Sequence, residues 1–127
     1  MSSTLKNILV IDDEEDIRQV MAEILSSMGY SVTCAVDGLK GVRELGKKRF
    51  DLAVTDMLMP EHDGIEFIRE AKKRFPQVKL VAMSGGGVIA GSSYLTMATA
   101  FGVDAIMEKP FDIAKVLNVV EDLLAQI

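Results

Sequence analysis

Among 127 residues the chain has one cysteine, Cys34, and no apolar run approaching the roughly 20 residues a helix needs to cross a bilayer. A single thiol excludes an internal disulfide, makes a reducing cytoplasm the expected setting, and is itself expected to be buried and inert. The opening MSSTLKN lacks the pattern of a signal peptide, and no membrane partner is expected. Basic residues are outnumbered as well: 14 Lys and Arg stand against 19 Asp and Glu, for a net charge of −5. That balance argues against direct contact with nucleic acid, whose backbone is bound by clustered cations. The basic triplets, Lys47, Lys48 and Arg49 and then Lys72, Lys73 and Arg74, fall near predicted helix ends, where the helix dipole and water account for them.

What is present is a repeated pattern. Four short apolar runs each stop at a side chain able to do chemistry: ILVI at Asp12 and Asp13, LAVT at Asp56, LVAM at Ser84, and AIME at Lys109. Runs rich in Ile, Val and Leu suit strands buried on both faces of a parallel sheet, and such sheets bind ligands beyond the carboxyl ends of their strands. Asp12, Asp13, Asp56, Ser84 and Lys109 are therefore expected to meet at one edge.

Strand and helix alternate five times. Strands are predicted over residues 7–11, 31–35, 52–55, 79–83 and 105–108. Helices are predicted over 16–28, 38–48, 64–75, 94–101 and 112–126, with Gly29, Pro76 and Gly102 marking exits. Helical spacing turns Ile17, Val20, Met21, Ile24, Leu25 and Met28 of the first helix inward, then Leu39, Val42 and Leu45, then Ile65, Ile68, Ala71 and Phe75. The last helix repeats the pattern with Ile113, Val116, Leu117, Val120, Leu123 and Leu124. The segment GGGVIAGSS after the fourth strand holds too much Gly and Ser for an early helix start. Alternation with short connections implies right-handed crossovers and a three-layer α/β domain spanning residues 1–127. Its doubly wound parallel sheet of five strands takes the order 2-1-3-4-5, with a crevice between the ends of strands one and three.

Three carboxylates in one crevice repel one another. Two unit charges about 5 Å apart at an effective dielectric of 20 cost roughly 3 kcal/mol, and a third adds to it. Protons or a cation must compensate. Lys109 supplies one positive charge, and Mg²⁺ (or Mn²⁺), with its preference for hard oxygen ligands, supplies two. The plainer reading of Asp12, Asp13 and Glu14 is an acidic helix N-terminus, which suffices for Glu14 and Glu15. Asp56 and Lys109 at equivalent strand ends favour the metal site. The same acidic turn argues against a dinucleotide site, which needs glycines where these carboxylates stand.

VIDDEED at the first turn, TDMLMPEHDG after strand three, MSG after strand four and MEKPF after strand five together resemble the receiver domain of two-component response regulators. The resemblance covers nearly the whole chain and implies a (βα)5 flavodoxin-like sandwich. It implies that Asp56 accepts a phosphoryl group from a sensor histidine kinase, a histidine phosphotransfer protein or a small phosphodonor. Asp12, Asp13, Asp56 and the backbone carbonyl of Leu58 would surround Mg²⁺. Lys109 would contact the phosphoryl oxygens, Ser84 would be the switch hydroxyl, and Lys109-Pro110 would be a cis peptide. Such a module is a signalling switch rather than an enzyme, and it would pass its state to a downstream effector through helix 94–101, strand five and the last helix. The chain's end at Ile127 suggests that it stands alone.

Several positions depart from the family's pattern. Ile106 stands where many receivers carry a switch Tyr or Phe, and Gly85, followed by Gly86 and Gly87, where a small Ala is common. Switching is therefore expected through the loop after strand four and the helix that follows it, with the aromatic step absent or reduced. Leu58 and Gly86 offer no polar side chain to orient an attacking water, which predicts a long-lived aspartyl phosphate. Pro60 and Gly64 are expected to shape the loop after Asp56, and His62 to be a solvated loop residue. The departures leave room for a receiver-like interaction module without phosphorylation control. An aspartate-nucleophile phosphatase is disfavoured, since Leu58 occupies the place of the second acid that such an enzyme needs.

Overall fold

The computed structural model describes residues 5–57, 63–85 and 102–126. In chain order these form β1 (Asn7–Ile11), α1 (Glu15–Ser27), β2 (Ser31–Ala35), α2 (Gly38–Lys47), β3 (Leu52–Asp56), α3 (Asp63–Arg74), β4 (Lys79–Gly85), β5 (Ala105–Lys109) and α4 (Ile113–Leu124). The strands make one parallel sheet in the order β2-β1-β3-β4-β5. The helix expected over 94–101 lies outside the described residues, as do Leu58, Pro60, His62, Gly86 and Gly87.

Strand side chains alternate between the two faces, so each strand feeds two cores. Ile8, Val10, Leu52, Val54, Val81, Met83 and Met107 pack against Met21, Ile24 and Leu25 of α1 and Val116, Val120, Leu123 and Leu124 of α4. Leu9, Ile11, Ala53, Leu80 and Ala82 take the opposite face, with Leu45 of α2 and Phe67, Ile68 and Ala71 of α3. Burial on both faces explains why these runs are apolar throughout instead of alternating.

Local chemistry fixes the joints. Asp37 caps α2 by accepting from the Lys40 N–H at 2.8 Å, and Asp112 caps α4 by accepting from the Lys115 N–H at 2.7 Å. Gly29, at φ +89°, closes α1 in a left-handed conformation that a β-carbon would oppose. Gly64 is required by space: a Cβ there would collide with the Asp56 carbonyl oxygen and come within 2.8 Å of the Met57 Cα. α3 can therefore start directly under the end of β3 only with glycine at this position.

The structure corrects several expectations. Cys34 is exposed, because β2 is an edge strand with a neighbour on one side only. Its surroundings still withdraw enough water to raise the thiol above its usual range, against the pull of the Arg18 charge. Leu39 is 62% exposed and Ile113 60%, and Val20 and Met28 are also exposed. These positions sit at helix ends or on the rim of the apolar stripe, beyond the area that the sheet covers. β3, β4 and β5 run past their apolar stretches to include Asp56, Ser84 with Gly85, and Lys109. Backbone pairing continues where side-chain polarity changes, which places the polar residues on rigid strand.

Candidate functional site

Sheet register builds the site. Ile11 pairs with Thr55, so Asp12 follows β1 at the level where Asp56 ends β3. Asp56 pairs with Met83, one residue before Ser84, and Gly85 pairs with Lys109. The five residues expected to converge share this edge, and Asp12 (0% exposed), Asp56 (4%) and Ser84 (1%) are buried in it. Asp13 is exposed beside them.

Lys109 bridges the two buried carboxylates. Its Nζ donates to Asp12 Oδ2 at 3.0 Å and to Asp56 Oδ2 at 3.2 Å, with Glu14 Oε1 at 3.6 Å. Asp12 is held at every polar atom: its N–H donates to the Ala35 carbonyl at 3.3 Å, and its Oδ1 accepts from the Glu14 N–H at 2.9 Å. Its carbonyl oxygen accepts from Arg18 Nη1 at 2.7 Å. Asp12, Asp13 and Asp56 each offer a carboxylate oxygen within 4.8 Å of the other two.

The electrostatics favour added positive charge. Burial raises the Asp12 pKa, and the Asp56 charge adds to this, outweighing the lowering by the Glu14 N–H and by Lys109. For Lys109 burial acts in the opposite sense, yet the hydrogen bond to Asp12 and the charges of Asp56 and Asp12 hold its ammonium above the usual range. Three carboxylates against one ammonium leave a formal charge of −2 when all are ionised. Three hard oxygen donors, two of them buried, fit Mg²⁺ or Mn²⁺.

Among the described residues no hydrogen-bond partner meets Ser84 Oγ, although a buried hydroxyl left alone costs about 1–3 kcal/mol. The Lys109-Pro110 peptide is cis. Ile106 is half-buried on β5, packed on the core that α2 and α3 cover. Two residues that touch the site carried no signal in the sequence reading. Arg18 was indistinguishable from any exposed helix cation, and Glu14 was accounted for by the helix dipole alone. The one hint was the place of Arg18 one turn after Glu14, whose carbonyl accepts its N–H.

A family model for the response regulator receiver domain matches residues 8–121. Response regulator receiver protein CpdR of Brucella abortus (strain 2308) is 32% identical over 121 residues, covering 94% of this chain and 98% of that protein. Sporulation initiation phosphotransferase F of Bacillus subtilis (strain 168) is 31% identical over 122 residues, 94% of each chain. Against transcriptional regulatory protein GlrR of Escherichia coli (strain K12) the identity is 30% over 126 residues, and the chain spans 28% of that protein's length. The crystal structure of a CheY-like response regulator receiver domain protein from Methanospirillum hungatei JF-1 superposes with a TM-score of 0.87 at 28% identity, covering 97% of this chain and 96% of that one.

Proposed function

The chain belongs to the response regulator receiver domain family, the signalling switches of two-component systems, and from this premise we propose that Asp56 is its phosphoacceptor. In this reading residues 1–127 form one receiver domain that works in the cytoplasm, phosphorylated by a sensor histidine kinase or a histidine phosphotransfer protein. A downstream effector reads the change on β5, α4 and the segment 94–101, for which the sequence predicts a helix. The observation that carries the reading is the buried Asp56 carboxylate, 3.2 Å from the Lys109 ammonium and within 4.8 Å of Asp12 and Asp13.

The chemistry needs little from the protein beyond position and charge. An Asp56 carboxylate oxygen attacks the phosphorus of a phosphohistidine. The new O–P bond forms as the P–N bond breaks, and the departing imidazole keeps the electron pair and takes up a proton. Lys109 is already seated on Asp56 and neutralises charge on the phosphoryl oxygens as they approach. Asp12, Asp13, Asp56 and the Leu58 carbonyl would hold a divalent ion, which would supply further neutralisation. Ser84 then donates its hydroxyl to a phosphoryl oxygen, which gives a partner to a buried oxygen that has none among the described residues and draws the end of β4 toward Asp56.

Transfer of ³²P from a phosphorylated histidine donor, with Mg²⁺ and then with chelator, tests the reading. Label is expected on the wild type with Mg²⁺, and not on Asp56→Asn or after chelation; equal labelling of Asp56→Asn would overturn it. Ile106 favours a second reading, an interaction module that has lost phosphorylation control, because no aromatic ring can report the event from that position. A wild type that never takes up label but still captures a partner would select it.

A further inference from the structure

Of the three carboxylates at the site, two are aimed by their own bonds. Asp12 is fixed by the Glu14 N–H and by Lys109, and Asp56 ends a rigid strand with Lys109 on its Oδ2. Asp13 differs. It is exposed, and among the described residues no hydrogen bond or ion pair holds its side chain. Only the backbone directs it.

That backbone is controlled from α1. The carbonyl of Asp12 and the N–H of Asp13 belong to one planar peptide unit, so fixing the carbonyl fixes the plane from which the Asp13 side chain springs. The group that fixes it is the half-buried Arg18 guanidinium, whose Nη1 donates to the Asp12 carbonyl oxygen at 2.7 Å. A bond this short to a charged donor is stronger than a neutral one and restricts rotation of the plane. Resting on the reading of the cluster as a divalent-cation site, we infer that Arg18 is the positioning residue of that site, aiming Asp13 at the ion through the Asp12 carbonyl without touching the ion itself.

Positioning and simple electrostatics predict opposite signs. Removing a cation from beside a cation site strengthens metal binding if charge alone matters. Removing an outer-shell clamp weakens it, typically by ten- to a hundredfold. The experiment is a Mn²⁺ titration, read by the electron paramagnetic resonance of free ion, on wild type, Arg18→Met and Arg18→Lys, with metal-free thermal unfolding run alongside. The expected result is roughly tenfold weaker binding in Arg18→Met. Arg18→Lys, which can still donate to the carbonyl, should recover most of the loss. Unchanged or tighter binding in Arg18→Met overturns the inference while leaving the metal site standing; a wild type that binds no divalent ion overturns the site itself. Should Arg18→Met fail to fold, Arg18→Gln takes its place, and the same outcomes decide.

Discussion

β3 begins after Asp51 and ends at Asp56, and these two aspartates, a few residues apart at its opposite ends, live in opposite circumstances. At the amino edge Asp51 is half-exposed and clasped: its Oδ2 accepts the Asn7 N–H at 2.9 Å, while its own N–H donates to the Asn7 carbonyl at 2.9 Å. Asp104 repeats the clasp before β5, exchanging two 2.8 Å bonds with Leu80 of β4. At the carboxyl edge Asp12 and Asp56 crowd one ammonium, Asp12 resists ionisation, and Ser84 Oγ is buried without a partner among the described residues. The amino edge spends its carboxylates on the register of neighbouring strands; the carboxyl edge holds an excess of negative charge that a cation would relieve and a buried hydroxyl that a phosphoryl oxygen would pair. Space does not make the distinction, for a cleft of about 270 Å³ lies at the amino edge, lined by Leu5, Lys6, Asn7, Arg49 and Asp51.

The largest effect that would test this contrast comes from Lys109→Ala. Phosphotransfer to Asp56 should fall by about a hundredfold, as when an electrostatic stabiliser of a transition state is removed. Stability at neutral pH without metal should fall by roughly 3 kcal/mol, because two buried carboxylates lose their shared cation. Denaturant unfolding with and without Mg²⁺ checks the second effect, and Mg²⁺ should restore part of it. A variant that transfers phosphate at the wild-type rate would erase the difference between the edges.

Next in size is the pH dependence of the metal-free protein. The folded-state pKa of Asp12 is raised above 3.8, so the fold holds this proton more tightly than the unfolded chain does. Its contribution to stability is fully present below 3.8 and is lost as pH rises through the folded value. Lys109, raised above 10.5, contributes stability below that value and loses it as pH climbs past the folded one. Asp12→Asn should therefore stabilise the metal-free protein at neutral pH, by less than Lys109→Ala destabilises it, as denaturant unfolding would show. Relative to wild type, the thermal midpoint of Asp12→Asn should gain with rising pH on the acid side, and Mg²⁺, which competes with the Asp12 proton, should have the same effect on the wild type. A wild-type midpoint that gains more with rising pH than that of Asp12→Asn, both without metal, contradicts the assignment.

At the amino edge the expected effect is similar in energy but empty of function. Asp51→Ala removes one acceptor from the Asn7 N–H, at a cost of about 1 kcal/mol in thermal or denaturant unfolding. Phosphotransfer per folded molecule should not change; a selective loss of transfer would mean that the two edges are coupled.

Much of this contrast could be read from residue types alone, and the reasons for the rest are physical. β1 and β2 coincide with the predicted residues 7–11 and 31–35, because apolar runs between turn residues mark buried strands well. The strand-end rule also placed Asp12, Asp56, Ser84 and Lys109 at one edge, since parallel register turns sequence position into spatial level. The rule could not show that Asp51 and Asp104 would clasp backbone: an Asp before a strand and an Asp after one look alike in a string. Nor could periodicity find the edge of the apolar stripe, which left Leu39 and Ile113 exposed, or distinguish Arg18 from a solvated cation. Cys34 was misplaced for the same reason that β2 was well predicted, because an apolar run does not announce which strand lies at the sheet's border.

That misplaced thiol offers the smallest and most local reading of the carboxyl edge. Partial loss of water around the exposed thiol raises the Cys34 pKa, and the Arg18 charge opposes the rise. The thiolate is the species that reacts with an alkylating agent. Because Cys34 is exposed, iodoacetamide should modify the native wild type without unfolding it. Arg18→Met should slow that reaction by a few-fold at pH 8, since losing the guanidinium lets the thiol pKa rise further and thins the thiolate population. Asp51→Ala, at the far edge, should leave the rate alone. If both substitutions slowed alkylation equally, the cause would be a change in the whole sheet, and Arg18 would have no particular hold on the end of β1.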